Sequence, residues 1–163
     1  MAVFDVAKIM DILAKQEADG YTFYEEAAGK VGDDKAGMLF ERLAKDERKH
    51  EAFYKKQRAK YEGRLYEIEQ EDADFIDILL SLPSPIDEAK KSAEGKVVWN
   101  KRQALLLAER LERDTILLLS QIVGINQEFA SEKAFTEALK EEKIHLSLIL
   151  QNTMDNMASS LML

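Results

Sequence analysis

The chain has 163 residues, enough to bury one substantial core and too few for two ordinary domains, and its two prolines and seven glycines leave room for long helices. A net charge of -8 with no lysine or arginine block argues against a nucleic-acid surface or an anionic membrane as partner, and the absence of cysteine excludes disulfides, thiolate zinc sites and iron–sulfur clusters from this sequence. No stretch reaches the roughly 18 apolar residues of a membrane span, and Met1-Ala2-Val3-Phe4-Asp5 lacks a basic segment leading into an apolar run, so a cytoplasmic location is expected.

Asp5 is placed to cap a first helix reaching about Lys30, with Ile9, Leu13, Glu17, Tyr21, Tyr24 and Ala28 at helical spacing on one stripe. Val31 to Asp34 reads as a short turn and the cap of a second helix over about Asp33 to Tyr61, and so short a turn makes the two helices antiparallel neighbours. The second stripe is Ala36, Phe40, Leu43, Glu47, His50 and Tyr54. In both helices, glutamate or histidine occupies positions where core residues belong.

From about 62 to 85 the pattern loosens into a crossover holding one apolar cluster, Phe75 to Leu80, which suits a short helix. Ser84, Pro85, Asp87 and Glu88 form a helix-start signature. The third helix is expected to begin there, break near Gly95, and continue through Trp99 to about Val123, where Gly124 ends it; its stripe is Leu105, Ala108, Glu112, Ile116, Leu119 and Val123. The fourth starts between Asn126 and Ser131 and presents Phe135, Ala138, Glu142, His145, Ile149 and Asn152. A tail over about 154 to 163, rich in methionine, leucine and serine, is read as frayed or as packing on a second subunit. The whole is expected to be one domain over residues 1–163, an all-α four-helix bundle of two antiparallel hairpins joined by a long crossover.

Two segments contain both histidines, Glu47-Arg48-Lys49-His50 and Glu142-Lys143-Ile144-His145. Each follows another stripe glutamate, Glu17 or Glu112, by thirty residues, and the two sets are related by one offset of 95 residues. A lone Glu-x-x-His is weak, since exposed helices place these residues three apart by chance. Two matched copies using the only two histidines are hard to obtain that way.

A Glu-x-x-His on a helix puts a carboxylate and an imidazole on one face, one turn apart. With no cysteine, any metal must sit on oxygen and nitrogen, and divalent first-row ions accept both. Glu17, Glu47, His50, Glu112, Glu142 and His145 are therefore candidate ligands of a two-metal site, in which Glu47 and Glu142 can bridge and four carboxylates balance two divalent cations. Glu109, one turn before Glu112, is either an additional ligand or an exposed residue. Tyr24, two turns after Glu17, is a candidate catalytic residue, as a hydrogen-bond partner of a ligand carboxylate or a redox-active phenol, beside the plainer reading of a ring that fills the core.

These residues carry a resemblance. Glu17 through Tyr24, Glu47-x-x-His50, Glu112 and Glu142-x-x-His145, together with Gly20-Tyr-Thr-Phe-Tyr-Glu-Glu-Ala-Ala28 and Arg42-Leu-Ala-Lys-Asp-Glu-Arg-Lys-His-Glu51, are similar to the rubrerythrin branch of the ferritin-like superfamily, over about residues 5 to 152. The resemblance implies a ferritin-like bundle, a centre of two iron ions, and reduction of hydrogen peroxide. Glu109-x-x-Glu112 resembles the paired glutamates on the third helix of that family, in which a carboxylate exchanges with a histidine as iron changes oxidation state. Leu119 stands where the family often has a tyrosine, and the cysteine-bearing rubredoxin domain is not in this sequence, so the resemblance implies an external electron donor such as a rubredoxin. It also implies a homodimer. Peroxide or dioxygen is the expected small substrate, with no nucleic acid and no membrane as partner. A ferroxidase that handles iron, and a redox-inert bundle holding manganese or zinc, remain alternatives on the same residues.

Overall fold

A computed structural model describes residues 1–92, 99–125 and 133–161 of the chain. Four long helices carry the architecture: α1 Val6–Lys30, α2 Asp34–Tyr61, α5 Lys101–Ile125 and α6 Lys133–Leu161, with the shorter α3 Gln70–Ser81 and α4 Pro85–Ser92 lying between the two pairs. Packing is tightest within the pairs α1 with α2 and α5 with α6; α2 also meets α6, and α1 meets α5, which closes a ring of four. This is the expected all-α, ferritin-like bundle of two hairpins. No helix is long and apolar enough to cross a membrane among the described residues.

The first hairpin forms for local reasons. Asp5 caps α1 by accepting from the Lys8 amide at 3.2 Å, and Asp33 caps α2 by accepting from the Ala36 amide at 2.8 Å. Between them Gly32 adopts φ 65°, the left-handed conformation that lets a chain leave a helix within a single residue. Gly63, φ 73°, does the same after α2.

The buried stripes follow the helical period more closely than a four-residue count. A step of four residues overruns one turn by about 40°, so a stripe must take some three-residue steps. On α1 the buried positions accordingly run Ile9, Leu13, Glu17, Gly20, Tyr24 and Ala27, while Tyr21 and Ala28 are only half-buried. On α5, Leu118 and Ile122 are buried, whereas Ile116 and Val123 are half-buried. The stripe expected on α2 is buried throughout. On α6 the expected face is buried except for half-buried Asn152.

The crossover holds more structure than expected. Besides α3 it contains β2 Leu65–Ile68, which pairs antiparallel with β1 Ala2–Asp5 so that Phe4 faces Tyr66 and Ala2 faces Ile68. This ribbon ties the start of α1 to the crossover, and its buried members, Phe4 and Ile68, join the core beneath α3. Four-residue strands are too short to display an alternation that a sequence reading can separate from loop.

The Ser84-Pro85 signature begins α4 rather than the third long helix. The long helix starts anew at Lys101, where Asn100 accepts from the Gln103 amide at 2.9 Å, and it runs through Gly124 to Ile125. Trp99 precedes that helix and stacks on Phe23 of α1, with ring centroids 5.6 Å apart. The break expected near Gly95 and the helix start expected between Asn126 and Ser131 lie outside the described residues. The tail continues as helix to Leu161, leaving Met154, Met157 and Leu161 exposed.

Candidate metal centre

Midway along the bundle, where an interior would ordinarily be apolar, six acidic and imidazole side chains are buried: Glu17, Glu47, His50, Glu112, Glu142 and His145 are each at most 5% exposed. Each of the four long helices contributes. Glu17 comes from α1, Glu47 and His50 from α2, Glu112 from α5, and Glu142 and His145 from α6. One donor atom from each of Glu47, His50, Glu142 and His145 falls within 4.8 Å of all the others. The remaining two glutamates adjoin this group: Glu17 Oε2 is 3.6 Å from His50 Nδ1, and Glu112 Oε2 is 3.7 Å from His145 Nδ1.

The imidazoles stack with centroids 5.4 Å apart and turn the same nitrogen inward. His50 Nδ1 approaches Glu142 Oε1 at 2.7 Å, and His145 Nδ1 approaches Glu142 Oε2 at 3.4 Å, so Glu142 lies between both rings. The outward nitrogens are held by carboxylates of the opposite motif. His50 Nε2 meets Glu141 Oε2 at 2.8 Å and His145 Nε2 meets Asp46 Oδ2 at 3.5 Å. Asp46 and Glu141 each immediately precede the glutamate of a Glu-x-x-His, again 95 residues apart. A carboxylate behind each imidazole fixes ring orientation and strengthens the facing nitrogen as a donor. Sequence reasoning missed this pair, although extending the repeat by one residue on the N-terminal side would have found it.

Tyr24 is buried and donates its hydroxyl to Glu112 Oε1. Tyr54, one turn beyond His50, is also buried, and its hydroxyl has no hydrogen-bond partner. Glu109 is half-buried and pairs with Arg113 at 2.9 Å, outside the group formed by the two motifs.

Among the described residues no lysine or arginine is buried to offset these carboxylates. Burial pushes Glu17 and Glu47 well above the usual carboxylate range, and each is raised further by neighbouring glutamates. Burial likewise raises Glu112, to about 7. Burial opposes charge on Glu142 too, but contact with His145 and His50 overrides it and holds this carboxyl at about 2. Burial would lower both histidines, yet the carboxylates win, lifting His50 to about 9 through Glu142 and His145 to about 10 through Glu112 and Glu142. Without a metal, protons supply the positive charge that the cluster requires.

The donor set fits a divalent metal. Glu17 Oε2, Glu47 Oε1, His50 Nδ1, Glu142 Oε1 and His145 Nδ1 are buried without a hydrogen bond of adequate geometry, although several lie close to one another. Buried polar atoms are normally satisfied, and five unsatisfied donors and acceptors at one place mark an absent partner. Oxygen and imidazole nitrogen together suit first-row ions.

Residues 3–58, about a third of the chain, match the rubrerythrin family model. The first hairpin is rubrerythrin-like. No curated protein and no solved structure matches the chain. The family match spans Glu17, Glu47 and His50, and α5 and α6 lie beyond it. The second hairpin joins the rubrerythrin-like half through geometry, by placing Glu142 and His145 against Glu47 and His50.

Gly20 shows how tightly α1 approaches this group, since a Cβ there would stand 2.9 Å from Glu47 Oε2. Gly20→Ala is expected to gain about 1 kcal/mol in helix propensity and to push the Glu47 carboxylate aside. The metal-free protein then melts no lower than the parent, while manganese(II) affinity falls by roughly tenfold or more in a competition titration. Unchanged affinity would show that Glu47 does not depend on the space left by Gly20.

Proposed function

We propose that this protein is a non-haem di-iron oxidoreductase of the rubrerythrin type, reducing hydrogen peroxide or dioxygen with electrons from an external donor protein such as a rubredoxin. The observation that carries this reading is the convergence of two Glu-x-x-His motifs from different hairpins on one buried point, with their Nδ1 atoms and carboxylate oxygens lacking other partners.

In this reading Glu17, Glu47 and His50 would hold one half of the centre and Glu112, Glu142 and His145 the other. When bound, a pair of ferrous ions supplies the two electrons that peroxide needs to become water. The chain's own work is positional and electrostatic. Asp46 and Glu141 hold the imidazoles in the orientation that turns Nδ1 inward. The Tyr24 hydroxyl anchors Glu112 through a hydrogen bond and keeps a proton beside that carboxylate. The apolar residues packed on either side, Leu13, Phe40, Leu43, Leu105 and Leu119, exclude bulk water from the group. Glu109, paired with Arg113, is assigned no ligand role.

We place the protein in the cytoplasm as a single domain and a homodimer, the commonest symmetric assembly, with the exposed Met154, Met157 and Leu161 available for contact between copies. The test is metal content after anaerobic ferrous reconstitution, followed by the absorption spectrum before and after peroxide, and then turnover with an electron donor. About two irons per chain, an oxo-bridged ferric spectrum on oxidation, and turnover that Glu47→Ala abolishes without unfolding the protein are expected. A protein that loads iron and yet shows no redox change would refute the enzymatic reading. Oxidation of many ferrous equivalents per chain would move the assignment to iron storage.

A further inference from the structure

A cavity of about 80 Å³ opens between α1 and α5, and Gly20, Tyr24, Glu47 and Glu112 form its inner end. Neither histidine lines it, so it reaches the cluster from a side that only carboxylates and a phenol occupy. Its outer part is covered by the end of α3, the short connection and the start of α4, through Leu79, Leu82, Pro83 and Pro85, and Thr115 of α5 stands in its wall. The larger hollows, of about 210, 310, 540 and 790 Å³, touch none of the four buried glutamates and neither histidine.

We propose that this cavity is the passage by which the oxidant reaches the centre, and that the crossover roof limits the oxidant to the size of peroxide or dioxygen. The inference rests on the di-iron reading and adds the route and the size class. Two features support it. The inner end brings the buried Glu47 carboxylate beside the glycine that leaves space for it, since a Cβ on Gly20 would stand 2.9 Å from Glu47 Oε2. The volume also discriminates, because a cavity known to admit benzene measures about 150 Å³, well above the one here, whereas a few water-sized molecules need less. An aromatic or branched hydroperoxide is therefore expected to react more slowly than hydrogen peroxide. Leu82 is 50% exposed, so its side chain contributes little to the core and can be shortened without a large cavity cost.

The experiment uses iron-loaded, oxidised protein and azide as the probe, following the azide-to-ferric charge-transfer band in a stopped-flow spectrometer. Thr115→Phe, loaded to the same iron content as the parent, is expected to slow azide association by about tenfold or more. Leu82→Ala is expected to leave the azide rate and iron content unchanged while raising the rate of reaction with cumene hydroperoxide relative to hydrogen peroxide by several-fold. An unchanged azide rate in loaded Thr115→Phe overturns the passage, and an unchanged preference in Leu82→Ala overturns the roof as the size filter. If Thr115→Phe fails to fold or load, Thr115→Met, a smaller obstruction in the same wall, takes its place in the azide measurement and is read by the same outcomes, with Met38→Phe on another face as the loading control. A parent protein that takes up no iron defeats the di-iron reading itself, and that result is distinct from loaded protein with unaltered access.

Discussion

Divalent metal is expected to raise the melting temperature of the chelator-treated protein by about 10 °C, with a larger rise at about pH 8 than at about pH 6. The size follows from linkage. An ion present at about a thousand times its dissociation constant contributes about 4 kcal/mol to the folded state, and for a chain of this length each kcal/mol moves the midpoint by about 2–4 °C.

The pH dependence follows from the protons that the metal replaces. Glu17, Glu47 and Glu112 bind protons more tightly when folded than when unfolded, and so do His50 and His145. A group raised on folding stabilises the fold below its unfolded value and loses that contribution as pH climbs through its folded value. The metal-free protein should therefore weaken as pH rises above the ordinary carboxylate value of 4.5, through the folded values of about 7 for Glu112, about 9 for His50 and about 10 for His145. Glu142 has the opposite sign, because its contribution is complete above its unfolded value and disappears only as pH falls toward about 2. A metal ion meets the same carboxylates without competition from protons at alkaline pH, so the loaded protein keeps its stability there. Thermal melts with and without chelator across this range check the claim. A metal-induced shift that shrinks with rising pH would mean that the ion binds elsewhere.

The second expected result is a pair of substitutions with opposite signs in the metal-free protein. Glu47→Gln removes a carboxyl that burial and Glu17 already force toward neutrality, and it should stabilise the metal-free fold by on the order of 1 kcal/mol at about pH 8. Glu142→Gln removes the carboxylate lying between His50 and His145, and leaving those rings without it should cost about 3 kcal/mol. Both should abolish most of the metal-induced rise in melting temperature. The contrast is informative because the two residues are exact counterparts in the repeat, and a purely sequence-based argument assigns them the same behaviour. Equal shifts of one sign in chemical denaturation would remove the electrostatic asymmetry described here.

That asymmetry shows where sequence reasoning reached and where it stopped. The repeat of Glu17, Glu47 and His50 as Glu112, Glu142 and His145 was legible because a polar residue in an apolar stripe stands out against its neighbours. The first hairpin was equally legible, since Asp5, Gly32 and Asp33 act within a few residues of themselves. The start of α5 was not, because Ser84-Pro85 is a valid helix start that happens to serve the short α4. The pairing of Ala2–Asp5 with Leu65–Ile68 was also hidden, being a long-range contact between two four-residue segments.

By itself the sequence determined the all-helical class, the two hairpins and the identity of the buried glutamates and histidines, for all of these follow from local periodicity and capping, whereas the buried Gln57 was not foreseen. Only the tertiary structure decided that Asp46 backs His145 and Glu141 backs His50, that Tyr24 binds Glu112, that Glu109 turns to Arg113, and that a narrow cavity ends at Gly20. The physical reason is register. Which residues on neighbouring helices stand opposite one another depends on how far the helices slide and rotate as their side chains interlock, and a repeat along one chain does not encode that displacement in any short window.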